Sequence, residues 1–387
     1  MRSINPTFVA DGPTIFTVMS KLAVETGAVN LGQGFPEDGW SEAIIQKAAD
    51  YLRSESNQYP PMLGRLELRR AVSEHDRHYW GLNHDPEFGV LVTSGATEAL
   101  AAAIFALIEP GDEVVVFEPF FDSYLPIIRR AGGTVKLVRL EAPDWNLAND
   151  TFRQAFNLRT KLILLNNPMN PTGKVWTRTE LETIAAVAIE HDCYILSDEV
   201  YEHLVFKGQH HIPISSLPGM EPRCLRIGSA GKSFSLTGWK IGWLAGKAEL
   251  VQAVARAHQF ITFTAPPNLQ LAVAYGLGLR EQWFQGFKAE LAAKGDRFIA
   301  GLEAIGIRSL PCHGTYFVTI AIDQLRRAEE SDLDFCLRLT RDGGVATIPY
   351  SALYHQSPPR DYIRLCFAKR DENLAEGLKR LERFCNS

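Results

Sequence analysis

The sequence predicts an α/β protein: a mostly parallel sheet sandwiched by helices, followed by a smaller α+β domain. Three observations carry this. From about residue 88 to about residue 246, short apolar strand patterns alternate with amphipathic helical patterns, the signature of parallel strands covered on both faces. After residue 280 the texture changes to a long charged helical pattern and two separated strand patterns. The 387 residues also exceed what one ordinary core supports, so two domains are expected.

The expected strands of the first region are Val90–Thr93, Glu113–Phe117, Thr134–Leu140, Leu162–Asn166, Tyr194–Ser197, Leu225–Ser229 and Ile241–Ala245. Helical patterns lie between several of them, for example Thr97–Leu107 and Thr179–His191. Ligands of such sheets bind beyond the carboxyl ends of the strands. The second region opens with a helix over Phe284–Ile305, continues with strands over Thr315–Ile322 and Tyr362–Ala368, and closes with a helix over Glu372–Phe384. This divides the chain into a large domain, residues 46–283, and a small C-terminal α+β domain, residues 284–387.

The strand ends hold the residues with chemistry. Ser229-Ala-Gly-Lys232 follows the strand Cys224–Gly228, and Lys240 lies eight residues beyond Lys232. A lysine in a small-residue turn, with a hydroxyl before it and a second cation after it, suits a Schiff base to pyridoxal phosphate, Ser229 and Lys240 holding the phosphate. That cofactor also needs an acid at its pyridine nitrogen, donors at its ring oxygen and an aromatic over its ring face. Asp198 ends the strand before Asp198-Glu-Val-Tyr201, where it can meet the nitrogen or cap a helix, and Tyr201 can reach the ring oxygen. Asn170 sits in Asn166-Asn-Pro-Met-Asn-Pro-Thr-Gly-Lys174, a tight loop whose Asn-Pro and Pro-Thr-Gly turns present the amide.

Val92-Thr-Ser-Gly-Ala-Thr-Glu98 joins a strand to a helix start, where free amides and the Thr97 hydroxyl form an anion site. In Glu118-Pro-Phe-Phe-Asp-Ser-Tyr124, Phe121 can stack on a ring, whereas Phe120 reads as core. Ile363, Leu365 and Phe367 share one strand face, so Arg364 points to the other, shaped for a bidentate grip on a substrate carboxylate.

Composition narrows the partners. The net charge is −5 with no basic block, which argues against nucleic acid and anionic membranes. Ala99–Ile108 is the longest apolar run, too short for a membrane span, and Met1–Phe8 has no apolar core of a secretory signal. Six cysteines without CxxC spacing read as reduced thiols and suggest neither disulfides nor a metal site, which fits a cytoplasmic protein.

In order along the chain, Asn30-Leu-Gly-Gln-Gly-Phe-Pro36, Asn57-Gln-Tyr59, Gly95-Ala-Thr97, Asn170-Pro-Thr-Gly173, Asp198-Glu-Val-Tyr201, Ser229-Ala-Gly-Lys232 and Arg364 resemble the class I aminotransferases of the fold-type I pyridoxal-phosphate superfamily. More narrowly, Leu31–Pro36, Glu118–Asp122 and the Lys232 segment are similar to the kynurenine/glutamine transaminase and methionine aminotransferase branch. The resemblance implies Lys232 as Schiff-base lysine and proton carrier, Asp198 at the ring nitrogen, Asn170 and Tyr201 at the ring oxygen, and Phe121 on the ring. Ala96, Thr97, Ser229 and Lys240 would bind the phosphate, with Tyr59 from a neighbouring subunit. Arg364, Asn170 and the Gly34 backbone would hold the substrate carboxylate.

It implies, further, a homodimer with shared active sites and an N-terminal segment, residues 1–45, that packs with the small domain. Lys240 stands where aspartate aminotransferases carry arginine, and a lysine there matches the kynurenine/methionine branch. The segment Phe260-Ile-Thr-Phe-Thr-Ala265, with Phe263 at its centre and expected from the partner, offers no cation for a distal carboxylate, and Phe16 adds an apolar wall. The expected reaction is ping-pong transfer of the α-amino group from a neutral apolar or aromatic amino acid (methionine, glutamine, phenylalanine or kynurenine) to a 2-oxo acid. β-Elimination from cysteine S-conjugates or cystathionine is the alternative at the same site. A non-catalytic effector domain of a transcription regulator is disfavoured by the acidic charge and by a match that starts near residue 14.

Overall fold

The strand segments are apolar at nearly every position, so a stable arrangement must cover both of their faces. A computed structural model, which describes Asn5, Thr7 and residues 12–386, shows how this is done. The rest of the N-terminal stretch before residue 12 and Ser387 lie outside the described residues. Seven strands form the central sheet in the spatial order 90–93, 242–246, 224–229, 194–198, 160–166, 113–118 and 134–139. All run parallel except Gly242–Gly246, which is antiparallel to both of its neighbours.

Alternate residues of each strand enter different cores. Val114, Val116, Leu162, Leu164, Leu196 and Ile227 pack on one face. Val115, Phe117, Ile163, Leu165 and Ile195 pack on the other. One close approach fixes a glycine in the sheet: Gly228 lies opposite Trp243, and a methyl there would sit 2.3 Å from the indole.

The helix expected from 284 begins earlier, at Glu281, and runs to Ala304. The strands after it form a three-stranded antiparallel sheet, with Tyr362–Cys366 between Ile348–Pro349 and Phe317–Ala321. Arg364 is therefore on a central strand and not on a solvent edge. The N-terminal helix Ile15–Thr26 is capped by the Thr14 hydroxyl and ends on left-handed Gly27. Val29–Asn30 then pairs with Val345–Ala346, and the Cys366 amide donates to Leu31 O at 2.7 Å. These bonds bring residues 31–34 beside Arg364.

Register also sets the site. Asn166 lies beside Asp198, and Ser229 and Thr93 both lie beside Gly242. The carboxyl ends of the parallel strands therefore converge with the start of the antiparallel one. That meeting of ends is where an open α/β sheet can hold a ligand.

Candidate active site

A cavity of about 340 Å³ lies at these strand ends. Its wall includes Phe16, Gly34, Ala96, Thr97, Phe121, Asn170, Asp198, Tyr201, Ser229, Lys232, Lys240 and Arg364. Twelve expected site residues, drawn from segments far apart in the chain, thus meet in one place. Tyr59 and Phe263 do not line it. They pack edge to face at 5.6 Å between ring centroids, and Tyr59 is 84% exposed.

Asp198 is buried at the end of its strand. Its Oδ2 accepts a 2.6 Å hydrogen bond from the Tyr124 hydroxyl, while its Oδ1 is buried without a partner. Burial pushes the carboxyl up to about 6, against the pull of the Tyr124 bond and the Lys232 charge. A buried carboxylate oxygen without a donor fits a protonated ring nitrogen brought by a ligand.

Lys232 lies in the short turn Ala230–Ser233. Its Nζ donates to the Tyr316 hydroxyl at 3.1 Å and to Gly34 O at 3.4 Å, and Tyr316 itself donates to Gly34 O at 3.0 Å. Withdrawal from water lowers the ammonium to about 8, only partly offset by Cys366 and Asp198. A lysine lowered this far releases its proton, and so becomes a nucleophilic amine, far more readily than a solvated one.

Arg364 is fully enclosed. It donates to Asn170 Oδ1 at 2.8 Å and to Gly32 O at 2.9 Å, and its guanidinium lies 4.0 Å from the Phe317 ring centre and 5.2 Å from that of Phe16. Because Asn170 Oδ1 is taken, its amide nitrogen is left to donate into the cavity. The Arg364 Nε is buried without a partner, so the guanidinium retains capacity for an anionic ligand. At the opposite end, the helix Gly95–Leu107 points its N-terminus at the cavity. Lys240, held in left-handed backbone, reaches it so closely that a methyl at Gly95 would lie 3.2 Å from Nζ. Amides, hydroxyls and an ammonium converge there as a phosphate requires.

These features fit pyridoxal phosphate: an amine to hold it, an anion cradle, an unpaired buried acid and the Phe121 ring in the wall. Tyr124 and Tyr316 were not among the expected residues. Tyr124 had a signal, since it stands three residues after Phe121 in the same strand-end segment. Tyr316 had none, being 84 positions from the lysine it contacts.

Comparison with known proteins gives a consistent result. The family model described as "Aminotransferase class I and II" matches residues 26–381. A probable N-succinyldiaminopimelate aminotransferase of Mycobacterium tuberculosis is 41% identical over 380 residues, covering 95% of each chain. A kynurenine–oxoglutarate transaminase of Dictyostelium discoideum is 36% identical, covering 94% of this chain and 92% of its own. Among solved structures, an Escherichia coli protein with a methionine aminotransferase function superposes with a TM-score of 0.95 at 34% identity, covering 99% of this chain and 100% of its own.

Proposed function

The chain belongs to the class I and II aminotransferases, and on that premise we propose that it uses pyridoxal phosphate to transfer the α-amino group of a neutral apolar or aromatic amino acid to a 2-oxo acid. The observation that carries this reading is Lys232, Asp198 and Arg364 lining one cavity, with the Asp198 Oδ1 unpaired.

The cofactor supplies an electron sink for the bond broken at the α-carbon. The chain's residues would do the rest. Asp198, held by Tyr124, stabilises positive charge at the ring nitrogen. Asn170 and Tyr201 donate to the ring oxygen, Phe121 covers the ring face, and Ala96, Thr97, Ser229 and Lys240 bind the phosphate. Arg364, with Asn170 and the Gly34 backbone, fixes the substrate carboxylate. Lys232 takes the α-proton, with Tyr316 and Gly34 O keeping its amine in reach.

The preference for neutral substrates rests on the wall. Among the described residues, its cations are Lys232, Lys240 and Arg364, each already engaged in this scheme. Phe16, Leu100, Val200 and Phe317 add apolar wall, and the remaining polar residues Gln33, Asp122, Asn166 and Thr237 bring no cation. A homodimer in which Tyr59 and Phe263 complete the neighbouring site accounts for two aromatics that lie outside this chain's own cavity.

A second reading follows from the 41% identical relative, whose name specifies a succinylated diamino diacid. Steady-state kinetics with methionine, glutamine, kynurenine, aspartate and N-succinyldiaminopimelate as donors separate the two. The first reading predicts the highest kcat/KM for one of the neutral donors. Preference for the succinylated donor by tenfold or more would replace it with the second.

A further inference from the structure

The turn after the strand Tyr194–Asp198 faces two ways. Asp198 and Tyr201 line the catalytic cavity, whereas Glu199, Glu202 and His203 enter a separate polar cluster. At its centre Arg226 donates to Asp76 at 2.5 Å, to Glu199 at 2.7 Å and to Glu202, all with side chains at most 1% exposed. Three buried carboxylates surround one guanidinium, an excess of acids that His211 Nε2, 2.9 Å from Glu199, and His84 Nε2, 3.4 Å from Asp76, also face. Removing such charge from water is costly unless a counter-charge is present.

The local geometry offers a place for that charge. His75 Nδ1 donates to Asp76 Oδ1 at 3.2 Å, an assignment that leaves its Nε2 as a lone pair. That Nε2 meets His203 Nε2 at 2.7 Å, and Glu202 Oε1 is buried without a partner. The ligand atoms of His75, Glu202 and His203 all lie within 4.8 Å of one another. A cavity of about 260 Å³, distinct from the catalytic one, is lined by Tyr79, Trp80, Glu202, His203 and His211 and gives access from outside. The Tyr79 hydroxyl and His211 Nδ1 are also buried and unpartnered.

We propose that His75, His203 and Glu202 form a binding site for one divalent transition ion of the zinc type. Two imidazoles and a carboxylate suit Zn²⁺ or Co²⁺, whereas Mg²⁺ and Ca²⁺ favour oxygen. The Asp76–His75 bond is the carboxylate–histidine support that fixes a metal-bound ring. For tetrahedral coordination the two ring nitrogens part to roughly 3.3 Å, a movement of about 0.6 Å, and the His203 proton moves from Nε2 to Nδ1 so that both neutral rings offer a lone pair to the ion. A bound ion ties the helix Leu66–Trp80 to the turn that presents Asp198 and Tyr201.

The test uses the full chain, loaded with pyridoxal phosphate and stripped with a chelator. Titration with Co²⁺ should give one equivalent with the visible absorption of a four-coordinate ion, and Zn²⁺ should displace it and raise the melting temperature. His203→Gln can still donate to His75 but should weaken Co²⁺ and Zn²⁺ at least 100-fold, and His75→Gln likewise. His210→Gln, at an exposed neighbour, should bind as wild type does. Failure of the wild type to take up one equivalent, or uptake undiminished in both His75 and His203 variants, overturns the proposal.

Discussion

Replacing Tyr124 by phenylalanine removes one hydroxyl and leaves the ring that packs edge to face on Phe121 at 5.8 Å. The lost bond is short, 2.6 Å, and its acceptor is the buried Asp198 carboxylate. Hydrogen bonds to charged groups contribute about 1.5–3 kcal/mol, and at the lower figure about 1.4 kcal/mol corresponds to a tenfold change in an ionisation constant. The bond favours the ionised acid and holds its value down to about 6 against the burial that raises it. Without it, the acidic limb of the kcat profile should therefore move up by about one pH unit. Below both limbs the variant should be about tenfold slower, and above them the two rates should converge. Half-reaction rates with methionine, followed by absorbance from pH 5 to 9, measure this, with a melting curve as the control for folding. Superimposable profiles from a well-folded variant would refute the role given to Tyr124.

The remaining predictions concern three charged groups of the cavity, Asp198, Lys232 and Arg364. Asp198→Asn should abolish turnover yet stabilise the cofactor-free protein. The acid's folded value is raised from 3.8 to about 6, so its contribution to stability is complete below about 4 and is lost as pH rises through about 6. The gain from the variant is at most about 3 kcal/mol at pH 8 and absent at pH 4, as denaturant titrations at both pH values would show. Because Lys232 is lowered to about 8, the rate of covalent cofactor loading should rise with pH through a midpoint near 8, and a flat rate between pH 7 and 9 would contradict its assignment. Arg364→Lys gives up the planar fork that bonds Asn170 and Gly32, so kcat/KM should fall about 30- to 100-fold, mostly through KM, for a loss of about 2–3 kcal/mol.

Much of this site was legible because its residues stand at strand ends, and strands buried on both faces announce themselves as apolar runs. Leu162–Leu165 and Ile195–Leu196 are examples, and they place Asn166 and Asp198 at one edge. Arg364 was legible through the alternation of Ile363, Leu365 and Phe367. Contacts across long stretches of chain were not, as Tyr316 against Lys232 illustrates. The buried charge cluster was hidden for a different reason. Asp76, Glu199, Glu202 and Arg226 each look like solvated residues in one dimension, and only the fold matches them to one another. Tyr59 and Phe263 lie outside this chain's cavity, and the role proposed for them requires a second chain.

The central claim, that Lys232 and its surroundings run transamination on pyridoxal phosphate, is most directly tested by the absorbance spectrum of the purified protein with that cofactor, followed while methionine is added without an acceptor. The account predicts a lysine-bound cofactor band that methionine converts to the pyridoxamine form and that aspartate converts poorly, with neither the band nor the conversion in Lys232→Ala. Absence of the band after the cofactor is supplied, or conversion that survives the loss of Lys232, would contradict it.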